Sequence, residues 1–417
     1  MSASELRNAA GDPAGSAASS CATSRRAAAA VTRAWSIEDL RRIARKRLPR
    51  AVFDFYDGGA EDEATLRANR AAFERVRLAP RTLVDVTRVD TSTALLGGRS
   101  ALPIAIGPTG APGFGWPLGD IGIARAAAAA GIPYTLSTMA TASIERIARE
   151  APGRLWFQAY VFKTREITME LIERARRFGY EALMITVDVP VGGKRERDFR
   201  NDFAVPFRFT PRNVLDFAMH PGWVLSVLRR GMPVLENVAG FTPEARSSAE
   251  IASSIGRFWD PAFDWDRMKE IRDRWAGKLL VKGVLRGDDA QKLAALGVDA
   301  IVVSNHGGRQ LDGASAALDA LPHVVRAVNG KASVMVDGGV RRGVDVVKAL
   351  ALGADAVMLG RATLMGVCAA GEAGARRAIE ILRDELVRAM QLSGVTAVGQ
   401  IGPDLIAPSP AGATSCP

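Results

Sequence analysis

The sequence predicts a closed (β/α)8 TIM barrel with an N-terminal helical segment and a long insertion after strand 4. Three observations carry that prediction. Eight apolar runs recur from Leu102 onward, each too short for a helix and the right length for a buried strand. Stretches with helical periodicity separate most of them, the alternation expected of a parallel α/β sheet. The ends of the runs carry polar, charged or glycine residues, as the open rim of such a barrel does. The 417 residues, 48% of them hydrophobic, hold one barrel of about 250 residues with additions.

Residues 1–34 read as a disordered tail, biased to Ala, Ser and Gly and lacking the apolar core of a secretory signal. Glu5 and Asp12 speak against an organelle-targeting role. The barrel domain spans 35–400. Ser36 caps a first helix with Glu38 and Asp39 in its opening turn. Asp57-Gly58-Gly59 then punctuates two helical pieces, which read as a helix–turn–helix connector. The predicted strands are Leu102–Gly107, Ile132–Ser137, Leu155–Tyr160, Ala182–Val187, Leu279–Val284, Ala300–Ser304, Ser333–Val336 and Ala356–Leu359. Ile121–Ala130 and Val344–Leu352 are alanine-rich helices suited to the outer ring. The insertion, 189–263, is longer than an ordinary connection and is expected to be functional or mobile. Within it, NVLDFAMHPGWVLSVLRRGMPVLE carries Trp223, several aliphatics and Arg229-Arg230. It suits either a buried amphipathic helix or an interfacial anchor. A helix over Asp264–Trp275 closes the stretch, and 401–417 reads as a flexible C-terminal tail.

The chemistry concentrates in Asp299–Gly313, DAIVVSNHGGRQLDG. A buried strand there delivers His306, Arg309 and Asp312 to one rim. An imidazole takes a proton near neutral pH, a guanidinium suits a carboxylate or phosphate, and Gly307-Gly308 let the backbone approach a flat ligand. The alternative is a turn with a hydrogen-bonded core histidine. The chain has only 3 histidines, and this one stands beside Gly-Gly and an arginine. The other strand ends offer Pro108-Thr109-Gly110, Ser137-Thr138-Met139, Gln158 with Tyr160, Thr186 with Asp188, Lys282, Ser304, Asp337-Gly338-Gly339 and Gly360-Arg361. The last two follow the seventh and eighth strands, where such barrels bind phosphate. Amides of Gly338, Gly339 and Gly360, with Arg341 or Arg361, suit one phosphate.

The net charge of +10 favours an anionic partner: substrate, phosphate cofactor, membrane surface or nucleic acid. With 6% aromatic residues and no aromatic-interleaved basic run, nucleic acid is not expected. Cys21, Cys368 and Cys416 form no CxxC pair, so neither a disulfide framework nor a metal site is expected, which fits a reducing cytoplasm. No apolar run reaches the ~18 residues of a spanning helix.

SNHGGRQLDG, the DGGVRRG and LGRA pair, WFQAYV and TVDVP together resemble the FMN-dependent L-2-hydroxy acid dehydrogenases and oxidases, over roughly Ser36–Thr396. IGPTG, GGKRERDFRNDF and HPGW followed by RRGMP look nearest to the mandelate and bacterial lactate dehydrogenases within it. The resemblance implies that His306 is the catalytic base and that Asp188 stabilises its imidazolium. It implies Arg309 and Arg195 on the substrate carboxylate, Tyr160 bonded to substrate, and Lys282 beside flavin N1 and O2. Thr109, Ser137, Gln158, Thr186 and Ser304 look like flavin-ring or ribityl contacts. Asp337, Gly338, Arg341, Gly360 and Arg361 look like the ribityl and phosphate site.

Three positions stand apart. Phe55, in FDFYDGG, occupies the place of a tyrosine that usually binds substrate, and Tyr56 next to it would point elsewhere. Met139 replaces an aromatic of the plant oxidases, and Gly110 stands where oxidases tend to have alanine, which favours a dehydrogenase. The resemblance therefore implies oxidation of an L-2-hydroxy acid by bound FMN, with a quinone or other acceptor, peripheral membrane contact and a homotetramer. The alternatives are an oxidase that makes hydrogen peroxide from O2, a flavin-dependent isopentenyl diphosphate isomerase, and a non-catalytic phosphate-binding barrel. The NHGGR run argues against the isomerase, and the full set His306, Asp188, Lys282 and Arg309 against the binding scaffold.

Overall fold

A computed structural model describes residues 27–201, 210–241 and 258–408. After a short helical stretch at residues 27–32, three helices precede the first strand among the described residues: α1 (Ile37–Arg47), α2 (Arg50–Asp57) and α3 (Ala64–Arg75). Ser36 caps α1 as expected, its hydroxyl accepting from the Asp39 amide. A hairpin of β1 (Thr93–Leu95) and β2 (Gly98–Ser100) follows. The barrel strands are β3 (Ile104–Ile106), β4 (Tyr134–Ser137), β5 (Leu155–Ala159), β6 (Ala182–Thr186), β7 (Lys278–Val284), β8 (Ala300–Val303), β9 (Ser333–Val336) and β10 (Ala356–Leu359). All pair in parallel, and β10 closes on β3. The helices after the hairpin are α4 (Gly119–Ala129), α5 (Ile144–Glu150), α6 (Arg165–Arg177), α7 (Glu196–Arg200), α8 (Pro211–Ala218), α9 (Pro221–Arg230), α10 (Trp265–Arg274), α11 (Gly287–Ala295), α12 (Ala317–Val328), α13 (Gly343–Ala351) and α14 (Arg361–Leu392).

The eight expected strands are thus present: β9 and β10 match their expected limits, β7 begins one residue earlier, and the other five are one to three residues shorter. The inward set, including Trp156, Met184, Leu280, Val302, Met335 and Met358, fills the barrel, and Leu95 of the unexpected hairpin packs with it as a plug. Order reaches beyond the domain limits read from the sequence. Residues 27–32 are helical with Val31 and Ala34 buried. Past residue 400, Leu405 is buried and Ala407 N donates to Arg77 O at 2.9 Å. The remainder of both expected tails lies outside the described residues.

The insertion segment expected to form one amphipathic helix forms two, α8 and α9, broken at His220-Pro221, where proline lacks the amide needed to continue a helix. Trp223 is buried, whereas Leu215, Met219 and Leu228 are 63–76% exposed. The insertion is tied to the barrel rim at three places. Asp216 Oδ2 accepts from Arg50 N at 2.7 Å, Trp223 Nε1 donates to Phe114 O at 2.8 Å, and Asn237 Oδ1 accepts from Ile144 N at 3.0 Å. Among the described residues no helix is long and apolar enough to cross a membrane.

Candidate active site

The loop after β8 turns sharply enough to hold His306 at φ +58, in the left-handed region where a non-glycine residue is strained. Its amide donates to Ser304 Oγ at 3.1 Å. Its Nδ1 lies 2.9 Å from Asp188 Oδ1. A carboxylate there keeps the ring proton on Nδ1 and leaves Nε2 as the acceptor, with Tyr160 Oη 3.4 Å away. Burial lowers the His306 pKa below its usual 6.5, and the Lys282 and Arg309 charges act the same way against Asp188. The imidazole is therefore neutral at pH 7. Burial raises the Asp188 pKa, but the His306 and Lys282 charges outweigh it and keep the carboxylate ionised.

Lys282 is buried at the end of β7, where a bulge displaces the register between Lys282 and Val284. Gly283 sits in that bulge at φ +106, and a Cβ there would meet Asp188 Cβ at 2.6 Å, so glycine is required for Asp188 to approach. Lys282 Nζ donates to Ser304 Oγ at 2.9 Å and pairs with Asp337 Oδ2 at 3.3 Å. Burial favours the neutral amine, but Asp337 and Asp188 overcome it and raise the pKa, so the group is an ammonium.

Helix α2 brings Phe55 over this rim. The guanidinium carbons of Arg195 and Arg309 lie 5.7 and 5.5 Å from its ring centre. Arg195 is paired with Asp198 at 2.7 Å. Among the described residues Arg309 donates only to neutral carbonyls, Phe55 O at 2.8 Å and Gly58 O at 3.0 Å. Tyr56 does point elsewhere: its hydroxyl is buried and donates to Ala111 O at 2.6 Å. Tyr160 packs on Trp259, ring centres 4.3 Å apart. Burial carries the Tyr160 hydroxyl up to about 12.

Beside Lys282, several buried polar atoms have no hydrogen-bond partner among the described residues: Gln158 Nε2, Thr186 Oγ1, Asp188 Oδ2 and Asp337 Oδ1. Thr186 is the register neighbour of Lys282, and Gln158, on the next strand, accepts from Ser137 Oγ at 3.0 Å. Such donors and acceptors around an ammonium fit the carbonyl and N–H edge of a flavin ring. Pro108, Thr109 and Gly110 form the half-exposed loop beyond β3 on the same rim. At the β9 and β10 ends lie Gly338, Gly339, Gly360 and Arg341. A Cβ at Gly339 would come within 2.4 Å of Asn69 O, so α3 and this turn touch backbone to backbone. Arg341, Arg309 and Arg361 are half-buried and have no carboxylate partner among the described residues. Burial lowers the first two to about 10 and Arg361 to about 9. Unpaired buried cations are costly, so the cluster suits anionic ligands.

Arg361, expected at the phosphate, donates to Tyr56 O, Gly307 O and Gly58 O at 2.7–3.0 Å and fastens the α2 end to the His306 loop. One residue differs from the sequence reading. Asp312, placed on the rim beside His306, accepts from Thr65 N at 2.7 Å and Ala64 N at 3.1 Å. It caps α3, whose first amides need an acceptor. Sequence reasoning missed Asn69, buried on α3. Asn69 and Asn305 exchange amide hydrogen bonds of 2.9 Å. It also missed Arg70, whose Nη1 reaches Asp345 Oδ2 at 2.7 Å. The signal for Asn69 was a carboxamide beside Ala72 and Phe73 on an otherwise buried helix face. Arg70 gave none.

A TIM barrel with a histidine–carboxylate pair, a buried lysine and unpaired arginines at one rim defines a class, the flavin-dependent oxidoreductases that act on small acids. The chain belongs to the FMN-dependent dehydrogenase family, whose model matches residues 44–408. It is 44% identical to (S)-mandelate dehydrogenase of Pseudomonas putida over 89% of this chain and 93% of that one. It is 40% identical to L-lactate dehydrogenase of Caulobacter sp. (strain K31) over 89% and 98%. The crystal structure of monotopic membrane protein (S)-mandelate dehydrogenase superposes with a TM-score of 0.87 at 42% identity, covering 90% of this chain and all of that one. The chain is thus an FMN-dependent 2-hydroxy acid dehydrogenase, as its motifs imply.

Proposed function

We propose that the preferred substrate is an L-2-hydroxy acid with a bulky or aromatic side chain, and that the electrons pass to a membrane quinone. The observation that carries this reading is the ring of Phe55 between Arg195 and Arg309. The arginines hold the substrate carboxylate, and Phe55 offers apolar area, at roughly 25 cal/mol per Å2, where a tyrosine would offer a hydrogen bond worth about 1.5–3 kcal/mol to a charged group. Small acids lose that bond and gain little area. Bulky acids regain it against Phe55 and Met139.

In the reaction, FMN when bound accepts the two electrons that leave the substrate. The chain supplies the rest. His306 Nε2 accepts the proton, and Asp188 at Nδ1 stabilises the imidazolium that results. Tyr160 orients the substrate, and the Lys282 ammonium would stabilise negative charge on a bound flavin. Ser137, Gln158, Thr186 and Ser304 hold the ring and ribityl chain, with Pro108, Thr109 and Gly110 beside them. Asp337, Gly338, Gly339, Arg341, Gly360 and Arg361 take the ribityl chain and phosphate.

Anaerobic bleaching of the flavin by mandelate, longer 2-hydroxy acids, lactate and glycolate tests the substrate. We expect mandelate-like acids to bleach fastest, and Phe55→Tyr to gain about tenfold or more on lactate with little gain on mandelate. Equal rates on lactate and mandelate, unchanged by the mutation, would remove the assignment. Oxygen uptake tests the oxidase alternative. With Gly110 in place we expect little peroxide, and rapid peroxide formation on turnover would reverse that reading. We further propose that α8 and α9 attach the enzyme, as a homotetramer, to the inner face of the cytoplasmic membrane. The exposed Leu215, Met219 and Leu228 beside Arg229 and Arg230 support this, as does the likeness to a monotopic membrane protein. An enzyme that never sediments with membranes would end that reading.

A further inference from the structure

One polar member of the DAIVVSNHGGRQLDG motif has no part in the reaction so far: Gln310. Its half-buried side chain turns to the backbone at the start of the insertion. Nε2 donates to Asp188 O at 3.1 Å and to Val191 O at 2.9 Å, and Oε1 accepts from Gly193 N at 3.0 Å. These partners fix the orientation of the carboxamide, because carbonyls accept only from its NH2 and an amide donates only to its oxygen. Both donor hydrogens and the acceptor are thus spent on one short run, 188–193. Glutamate lacks the donors for this, and lysine lacks the acceptor. A Cβ at Gly193 would meet Arg309 O at 2.3 Å, so the two backbones also touch there.

What this run carries gives the contacts their consequence. Asp188 begins it, and Arg195 lies just beyond its end. The loop after β8 grips Asp188 twice, by His306 Nδ1 at the carboxylate, 2.9 Å away, and by Gln310 at the carbonyl. The bulge at Gly283 closes on its Cβ from the barrel side. On the far flank Glu61 N donates to Lys194 O and Ala60 N to Gly308 O, both at 2.8 Å. No residue from Val187 to Lys194 is fully buried, so packing alone does not hold the run in place. We propose that Gln310 is a positioning residue of the reaction, fixing the 188–193 backbone so that Asp188 meets His306 Nδ1 and Arg195 is presented beside Phe55. It acts through those two side chains. This rests on the roles proposed above for His306, Asp188 and Arg195, and adds the group that sets them in register with one another.

Two variants test this in the full-length, FMN-loaded enzyme, by anaerobic stopped flow and steady-state turnover with (S)-mandelate and with L-lactate. Gln310→Met keeps the length of the side chain and removes all three bonds. Gly193→Ala leaves Gln310 intact and wedges a methyl group against Arg309 O. Each should slow flavin reduction at saturating substrate by roughly 10–10²-fold, the cost of a catalytic group displaced by up to about an ångström. Each should also raise KM several-fold as Arg195 shifts. The groups that face His306 are Asp188, Lys282, Arg309 and Tyr160, and of these Asp188 is the one that raises its pKa. A loosened Asp188 should therefore move the acid limb of kcat/KM to lower pH, which a merely structural role would not do. Gln391→Met removes a carboxamide bond of 3.2 Å to Val86 O on α14 and should move none of these quantities. Wild-type rate, KM and midpoint in both variants would overturn the proposal. So would a slower rate with an unmoved midpoint, or with one moved to higher pH, the mark of a site opened to water. If Gln310→Met does not fold, the midpoint in Gly193→Ala decides alone. Near-normal reduction in His306→Gln would instead overturn the base assignment, and the role of Gln310 with it.

Discussion

His306 combines two features that oppose each other. Burial, with the Lys282 and Arg309 charges, lowers its pKa, which keeps Nε2 open, while Asp188 stands ready to stabilise the charge it gains. The limb of kcat/KM controlled by His306 should therefore rise with pH to a plateau already reached at neutrality, with its midpoint below the usual 6.5 of histidine. His306→Gln should still bind FMN but reduce it slower by at least ~10²–10⁴, the contribution of a positioned general base. A near-normal reduction rate in stopped flow would refute that role. Lys282 is tested by potential rather than rate. Its ammonium is buried and fixed by Ser304 and Asp337. Lys282→Met should lower the midpoint potential of the flavin and weaken sulfite binding, and an unmoved potential would leave Lys282 a structural residue. His306 and Lys282 were both legible in the sequence because each ends an apolar run. The function of Asp312 was not. An aspartate in a glycine-rich loop looks alike whether it faces a ligand or caps a helix more than two hundred residues away in the chain, and only the fold brings Ala64 and Thr65 to it.

At the scale of elements, the strands were readable from their β-branched runs, whereas the α8–α9 break at His220-Pro221 was not anticipated, the segment reading as one helix. The β1–β2 hairpin was not, because three-residue strands carry too few residues to show a period. Nor could sequence show how the insertion is fastened. Asn237 is buried and accepts from Ile144 N, one of the first amides of α5, and its Nδ2 lies 3.4 Å from both Ser137 O and Ala142 O. The segment that leads away from the exposed helices is thus anchored on the loop that carries Ser137. Asn237→Ala leaves the Ile144 amide without its acceptor, at a cost of about 1–3 kcal/mol. Local opening should follow before global unfolding. We expect faster proteolytic cleavage within the insertion, with recovery in Asn237→Asp, which keeps the acceptor. Equal cleavage of wild type and Asn237→Ala would show that the anchor does not control opening.

For the whole molecule, Asp120 links stability to pH through a group outside the reacting set. It is fully buried at the start of α4, where Oδ2 accepts from the Thr141 amide at 2.9 Å and Oδ1 lies 3.5 Å from Tyr134 Oη. Burial raises its pKa, and although the Thr141 hydrogen bonds favour the carboxylate, the result is about 7, against 3.8 for the free side chain. The folded chain therefore holds a proton that the unfolded chain releases between those values. Asp120's contribution is complete below about pH 4, declines as pH rises, and is gone above about pH 7, at a steepest slope of about 1.4 kcal/mol per pH unit. His306 and Asp188 act in the opposite sense, because both are lowered and so favour the folded state as pH rises through their own ranges. Comparing wild type with Asp120→Asn cancels those shared terms. The stability of the variant relative to wild type, from urea unfolding of the FMN-loaded enzyme, should increase between pH 5 and pH 7 and level off above it. A difference that stays constant over that range would mean that Asp120 is already ionised in the folded protein, and that the Thr141 hydrogen bonds outweigh its burial.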